Sequence, residues 1–318
     1  MTRLLACVAV ALAACTSSPP DSAKTAESAP EPAAVQGISL LGDTLRTLPL
    51  SAETKARYET QLADAKASYD RAPTNADSII WYGRRLGYLG RLREAIDVYT
   101  RGIEIHPENP WLYRHRGHRY ISVRELDKAI TDLERATALT EGKPDSVEPD
   151  GQPNAQNTPI GTLHSNIAYH LALAHYLKGD YERAIPVYRK ELAAARNDDR
   201  RVSTAHWLYM SLRRLGRAAE AANVLEPIRR DMNVIENDTY RDLLLMYKGE
   251  LPPDSVLKVG PNGEMSVTDA TGAYGVGNWH LYNNRRADAE RVFRQIVAGG
   301  QWGAFGYIAA EAELARMR

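Results

Sequence analysis

The chain of 318 residues balances 40 Lys and Arg against 40 Asp and Glu, with 44% hydrophobic and 25% charged residues. This is ordinary globular composition, and the lack of a basic excess argues against nucleic-acid binding and against charge-based attachment to an anionic bilayer. Both cysteines, Cys7 and Cys15, fall within the first 15 residues, so the body has no disulfide framework and no thiolate metal site.

At the N-terminus, Arg3 precedes an apolar run from Leu4 to Ala14, which has the length of a signal-peptide core and is too short to span a bilayer as a helix. The end of that run, Leu12-Ala13-Ala14-Cys15, resembles the lipobox of bacterial lipoprotein precursors. The resemblance implies cleavage before Cys15 and acylation of that residue, because one acyl chain anchors only marginally and several make attachment lasting. Thr16 in place of Asp after the cysteine implies, by the same resemblance, sorting to the outer membrane. Residues 1–14 are therefore read as a signal peptide, and 15–50 as the lipidated cysteine and a disordered tether. Residues 16–36 are rich in Ser, Pro, Ala and Glu without hydrophobic periodicity. Such a stretch reaches on the order of 25 Å, which places a folded body off the membrane surface.

Residues 53–72 read as a capping helix, and from residue 76 the sequence repeats itself. Ala95-Ile-Asp-Val-Tyr99 returns as Ala129-Ile-Thr-Asp-Leu133, and Gly83 returns as Gly117, each 34 residues later. The same alanine recurs at Ala184, Ala221 and Ala289. A 34-residue period of paired helices resembles the tetratricopeptide repeat (TPR). The pattern of small and bulky residues at the helix crossing fits in five units. Unit 76–109 has Gly83, Leu86, Gly90, Ala95, Tyr99, Gly102 and Pro107; unit 110–143 has Gly117, Tyr120, Ala129, Leu133 and Ala136. Unit 165–198 has Leu171, Ala172, Gly179, Ala184 and Tyr188; unit 202–235 has Leu208, Leu212, Gly216, Ala221 and Leu225; unit 270–303 has Gly277, Ala289 and Phe293. Small residues are needed where the two helices of a pair cross, with a bulky side chain beside them.

Unit 236–269 departs from this pattern. Leu243 and Ser255 take its two small positions, and Pro252-Pro253 and Gly260-Pro261-Asn262-Gly263 shorten or break its second helix. Residues 304–318 read as a terminal helix covering the last pair. The predicted fold is thus all-α: a TPR superhelical solenoid over 51–318 with a capping C-terminal helix.

Catalytic patterns are sparse. There is no G-x-S-x-G, Walker A, H-E-x-x-H or C-x-x-C motif, and Gly272-Ala-Tyr-Gly275-Val-Gly277 has the wrong spacing for a dinucleotide loop. No cofactor is expected. His115 and His118, three apart on one predicted helix, share a face, but a metal needs a third ligand that the sequence does not nominate, so no metal site is expected. A metal-dependent hydrolase using these two with Asp150 is the remote alternative. The polar insertion 142–162 carries Ser146, Glu148, Asp150 and Gly151, an echo of a calcium loop spoiled by Pro149, Pro153 and a final Asn157. A long polar loop between regular repeats reads equally as a binding element or a disordered excursion.

In TPR proteins the first helix of each pair lines a concave face. By that resemblance, the residues projecting into it are Ile80, Arg84 and Tyr88; Arg114, His118 and Ile121; Tyr169, Leu173 and Tyr176; His206, Met210 and Arg213; and Tyr274, Asn278 and Tyr282. Tyrosines supply apolar area with a hydroxyl, and the arginines favour acidic groups on a partner. The carboxylate clamp of some TPR proteins is not supported, because Ile80 and Arg84 stand where it has Lys and Asn. The expected function is a non-catalytic adaptor that is lipid-anchored in the bacterial cell envelope and binds an envelope protein or peptide in its groove. A glycan-binding outer-membrane lipoprotein is the alternative, disfavoured by so short an insertion.

Overall fold

Each helical pair begins where a side chain caps the first free amides of a helix. Asn75 accepts from the Ser78 amide at the start of α2 (Ala76–Tyr88), and Asn109 accepts from the Trp111 amide, with Pro110 in the first turn of α4 (Pro110–Ser122). Thr162 and Ser165 cap reciprocally at α6 (Leu163–Lys178), Asn197 caps α8 (Asp198–Arg214), and Ser266 and Asp269 form a capping box at α11 (Val267–Tyr282). The computed structural model describes residues 33–261 and 263–318. Its antiparallel partner helices are α3 (Leu92–Ile105), α5 (Leu126–Thr140), α7 (Tyr181–Ala194), α9 (Ala218–Leu225) and α12 (Arg286–Ala298). Helix α1 (Ala52–Arg71) covers the first pair, as expected from the sequence.

The repeat positions behave as the spacing predicts. A Cβ built on Gly83 would lie 2.5 Å from the Tyr99 ring, one on Gly117 2.8 Å from Leu133, and one on Gly277 2.6 Å from Phe293. The chain turns between paired helices at a residue with positive φ: Gly90, Gly179 and Gly216, and in the other two pairs Arg124 (67°) and Asn284 (61°). In the degenerate unit, α10 (Asp238–Tyr247) has no helical partner, only a single 3₁₀ turn at Pro253–Ser255. Leu243, the bulky residue at its small position, is accommodated by Gly275 on α11.

Two regions differ from the sequence reading. Part of the segment expected to be disordered tether up to residue 50 is folded: Val35–Ile38 (β1) and Thr44–Arg46 (β2) pair as an antiparallel hairpin with a bulge at Gln36. That bulge turns the Gln36 side chain inward, where Oε1 accepts from the amides of Leu92 (2.8 Å) and Arg93 (3.2 Å). Helix α3 has no cap of its own, since Arg91 makes no side-chain cap bond, and the glutamine supplies one.

The second difference is the C-terminal helix α13 (Phe305–Met317). It packs on α11 and α12 as expected, but it also reaches α6, and every residue from Gly306 to Leu314 is buried. A helix buried on all faces lies inside the fold. Alanines 309, 310 and 312 let it fit, and Gly306 meets the backbone of Ala270. Among the described residues no helix is long and apolar enough to cross a membrane. Cys15 and residues 1–14, read from the sequence as a lipidated cysteine and its signal peptide, lie outside the described residues.

Candidate functional site

Helices α2, α4, α6, α8 and α11 lie side by side and form the inner face of the repeat stack. Its C-terminal half does not form an open groove, which corrects the sequence reading. Tyr176, His206, Met210, Tyr274 and Asn278 are all fully buried. The physical reason is that α13 and α10 fill the space in front of them. The Tyr176 and Tyr274 hydroxyls share a 2.6 Å hydrogen bond, with Trp207 stacked on Tyr274. His206 is enclosed by Tyr240 and Tyr247 of α10, and the Tyr176 hydroxyl reaches the Met210 sulfur at 3.9 Å. Asn278 accepts from Arg214 (3.3 Å), whose guanidinium also pairs with Glu313 of α13.

The N-terminal half retains a cavity of about 350 Å³. Arg84, Tyr88, Arg114 and Tyr169 line it, so four of the sequence-selected positions converge, Arg84 and Tyr88 half-buried and Arg114 and Tyr169 buried in its wall, and His118 sits behind it against His170 (ring centroids 4.4 Å) and Phe305 (5.5 Å). The opposite wall is the insertion. Arg84 Nη2 donates to the Pro149 carbonyl (2.9 Å), and Arg85 Nη1 donates to the Gly151 carbonyl (2.8 Å). Arg114 Nε lies 3.0 Å from Glu148 Oε2, in ion-pair range but not aligned as a hydrogen bond, and Asn166 Nδ2 donates to the same oxygen (2.8 Å). An antiparallel bridge between Val147 and Thr162 pins the base of the loop. The insertion is thus ordered against the basic, aromatic face.

The arginines are held by aromatic faces: Arg84 stacks over Trp81 at 4.4 Å, and Arg85 lies over Trp81 (5.1 Å) and Tyr88 (5.6 Å). Burial first, and then neighbouring arginines, push the guanidiniums of Arg85, Arg114 and Arg119 below their ordinary range. The same combination holds the His115 and His118 imidazoles well below the ordinary value, so both are neutral at pH 7. Asp150 is pushed upward by burial and by Glu148, against the pull of Arg84, and its buried Oδ2 has no hydrogen-bond partner.

Both histidines of the hydrolase alternative pack among aromatic rings and are not part of the cavity lining. The His115 ring stacks on Tyr99 and faces Trp111, while that of His118 packs on His170 and Phe305. Among the described residues no three His, Cys, Asp or Glu side chains group so as to hold a metal ion. The three glycines of the Gly272–Gly277 segment are packing positions, against Val256, Leu243 and Phe293. The sequence reading does not select Arg85, His170, Tyr240 or Phe305 for the groove. Arg85 had a signal, being adjacent to a selected position, but Phe305 arrives from α13, whose path repeat spacing does not encode.

Residues 165–248 match the family model described as tetratrico peptide repeat. No curated protein matches the chain in sequence. Among solved structures, a tetratricopeptide repeat protein from Parabacteroides merdae is 16% identical, with a TM-score of 0.47 over 81% of this chain and 93% of its own. YrrB, described as a TPR protein with an unusual peptide-binding site, is 14% identical, with a TM-score of 0.42 over 74% of this chain and 91% of its own. MamA is 15% identical, with a TM-score of 0.43 over 64% of this chain and all of its own.

Proposed function

We propose that this tetratricopeptide-repeat chain is a non-catalytic interaction scaffold, held by acylated Cys15 at the outer membrane of the bacterial cell envelope, facing the periplasm. Its partner is a protein or peptide that enters the N-terminal half of the inner face. The observation that carries this reading is the convergence of Arg84, Tyr88, Arg114 and Tyr169 on one cavity while the rest of the inner face is filled by the chain itself. Arginine with tyrosine is the composition of interface anchors, offering charged donors on rigid aromatic supports. The repeat match supports the scaffold role, and the lipobox supports the anchor.

The test is affinity capture from cells with the acylated chain and with its Arg84→Ala/Tyr88→Ala variant. Both side chains are half-buried and make few structural bonds. The expected result is a specific partner whose recovery falls at least tenfold in the variant, since a charge-assisted contact contributes about 1.5–3 kcal/mol. A partner recovered equally by both places the interaction elsewhere and overturns the groove assignment. Cys15→Ala is expected to release the protein from the membrane fraction.

A further inference from the structure

Resting on that reading, the geometry of the insertion identifies the kind of partner. The segment Val147–Gly151 crosses the cavity as irregular, non-helical chain, held at its backbone by Arg84 and Arg85 and at a carboxylate by Arg114. A side chain donating to a peptide carbonyl and another pairing with a peptide carboxylate are the contacts by which a groove holds an external acidic peptide. We propose that Glu148–Gly151 is a tethered occupant of the groove, and that the partner presents an extended acidic segment that takes its place on Arg84, Arg85 and Arg114.

Three observations carry this. First, the charge under the loop belongs to the groove. Of the three arginines that hold the loop, Arg84, Arg85 and Arg114, only Arg114 has a carboxylate in ion-pair range among the described residues, and that carboxylate is Glu148. Lifting the loop removes that one carboxylate and leaves all three cations without an ion-pair partner, which selects an anionic replacement. Second, the occupant fits imperfectly. Asp150 Oδ2 is buried without a hydrogen-bond partner, and Arg114 Nε is not aligned on Glu148. An unsatisfied buried acceptor costs free energy that a better-placed ligand recovers. Third, Gly151 is pressed against the Tyr88 hydroxyl so closely that any side chain there collides with Tyr88 and Arg84. Loop and groove are therefore complementary only while residue 151 is glycine, and the contact can be broken from the loop side without touching the groove.

The direct test uses the loop itself in trans. A fluorescein-labelled peptide with the sequence of residues 145–152, DSVEPDGQ, is titrated by fluorescence anisotropy against the full chain, a Gly151→Val variant that excludes the loop by volume, and a Glu148→Gln/Asp150→Asn variant that weakens it by charge. Two variants of different kinds keep the test valid if one folds poorly. The expected result is at least tenfold tighter binding by both variants than by the natural chain. That gain is lost on adding Arg84→Ala/Arg85→Ala, and the neutral peptide NSVQPNGQ does not bind. Equal affinity for the natural chain and both variants, or equal binding of the neutral peptide, overturns the inference. Failure here with continued capture of a partner that depends on Arg84 and Tyr88 removes only the acidic-displacement idea. Loss of that capture removes the groove reading itself.

Discussion

Arg124 and Glu311, 187 residues apart in sequence, form a buried ion pair with Nη2 2.7 Å from Oε2. Arg124 occupies the turn position that glycine takes in three other repeats, and as an arginine with φ of 67° it holds a backbone conformation that costs on the order of 1 kcal/mol. The side chain explains why. Besides the pair, Arg124 donates to the carbonyls of Ser122 and Trp302 (2.9 Å), and Glu311 also accepts from the Leu40 amide. One contact thus joins the turn of the second repeat, the N-terminal hairpin and the C-terminal helix. Glu311→Ala is expected to destabilise by about 3–5 kcal/mol in urea unfolding, because it strands a buried guanidinium. The Arg124→Met/Glu311→Met double variant is expected to cost much less than the sum of the single alanine changes, as both charges leave together. Additive losses would show that the pair acts only through packing.

The helix crossing in the first repeat has no room at Gly83. Gly83→Ala forces the Tyr99 ring to move, and a cost of about 1–3 kcal/mol is expected from overpacking. Tyr99→Leu in the same chain should recover part of that loss. The check is a double-mutant cycle in thermal unfolding, and a Gly83→Ala variant as stable as the natural chain would contradict the close crossing.

Four histidines, His115, His118, His170 and His206, are depressed chiefly by burial, His206 to about 3. For a group whose folded-state value is lowered, the stability it permits is complete above its unfolded value near 6.5 and is lost as pH falls below it. Each therefore costs about 1.4 kcal/mol per pH unit between its two values. Upward-shifted carboxylates such as Asp132 and Glu191 act in the opposite sense, but at the lower pH where carboxylates titrate. The melting temperature is expected to fall between pH 6.5 and 5, and His206→Gln should flatten that slope. A slope identical in the variant would contradict the assignment of His206 as a buried neutral group.

Removing α13 by ending the chain at Gly303 is expected to unfold the C-terminal repeats instead of opening a longer groove. Arg124, Arg214 and the Tyr176–Tyr274 pair would lose the partners or cover that α13 provides. Loss of helical circular dichroism well beyond the 13 residues of α13 would show this, whereas loss confined to that helix would contradict it.

The repeats were legible because their signal is local: a small residue at Gly83 or Gly117 demands a bulky one at Tyr99 or Leu133 sixteen residues on, and both lie on the same helix pair. The broken unit was legible from Pro252-Pro253 for the same reason. Repeat position assigns Tyr176, Tyr274 and Asn278 to the inner side of their helices, where the structure buries them. What lies opposite them was not encoded in the period. That depends on where α13 goes, which is set by contacts such as Glu311 to Arg124 and Arg316 to the Leu177 carbonyl. The hairpin at 35–46 was hidden because its stabilising partner, the uncapped start of α3, lies more than forty residues away.

The most direct test of the central claim is a photoreactive amino acid placed at Tyr88, in the cavity, and at Arg294, exposed on α12, in cells producing the full chain. The account predicts a covalent adduct with one partner protein from position 88 and none from 294. Adducts from 294 alone, or none from 88 in a chain shown to be folded, would contradict it.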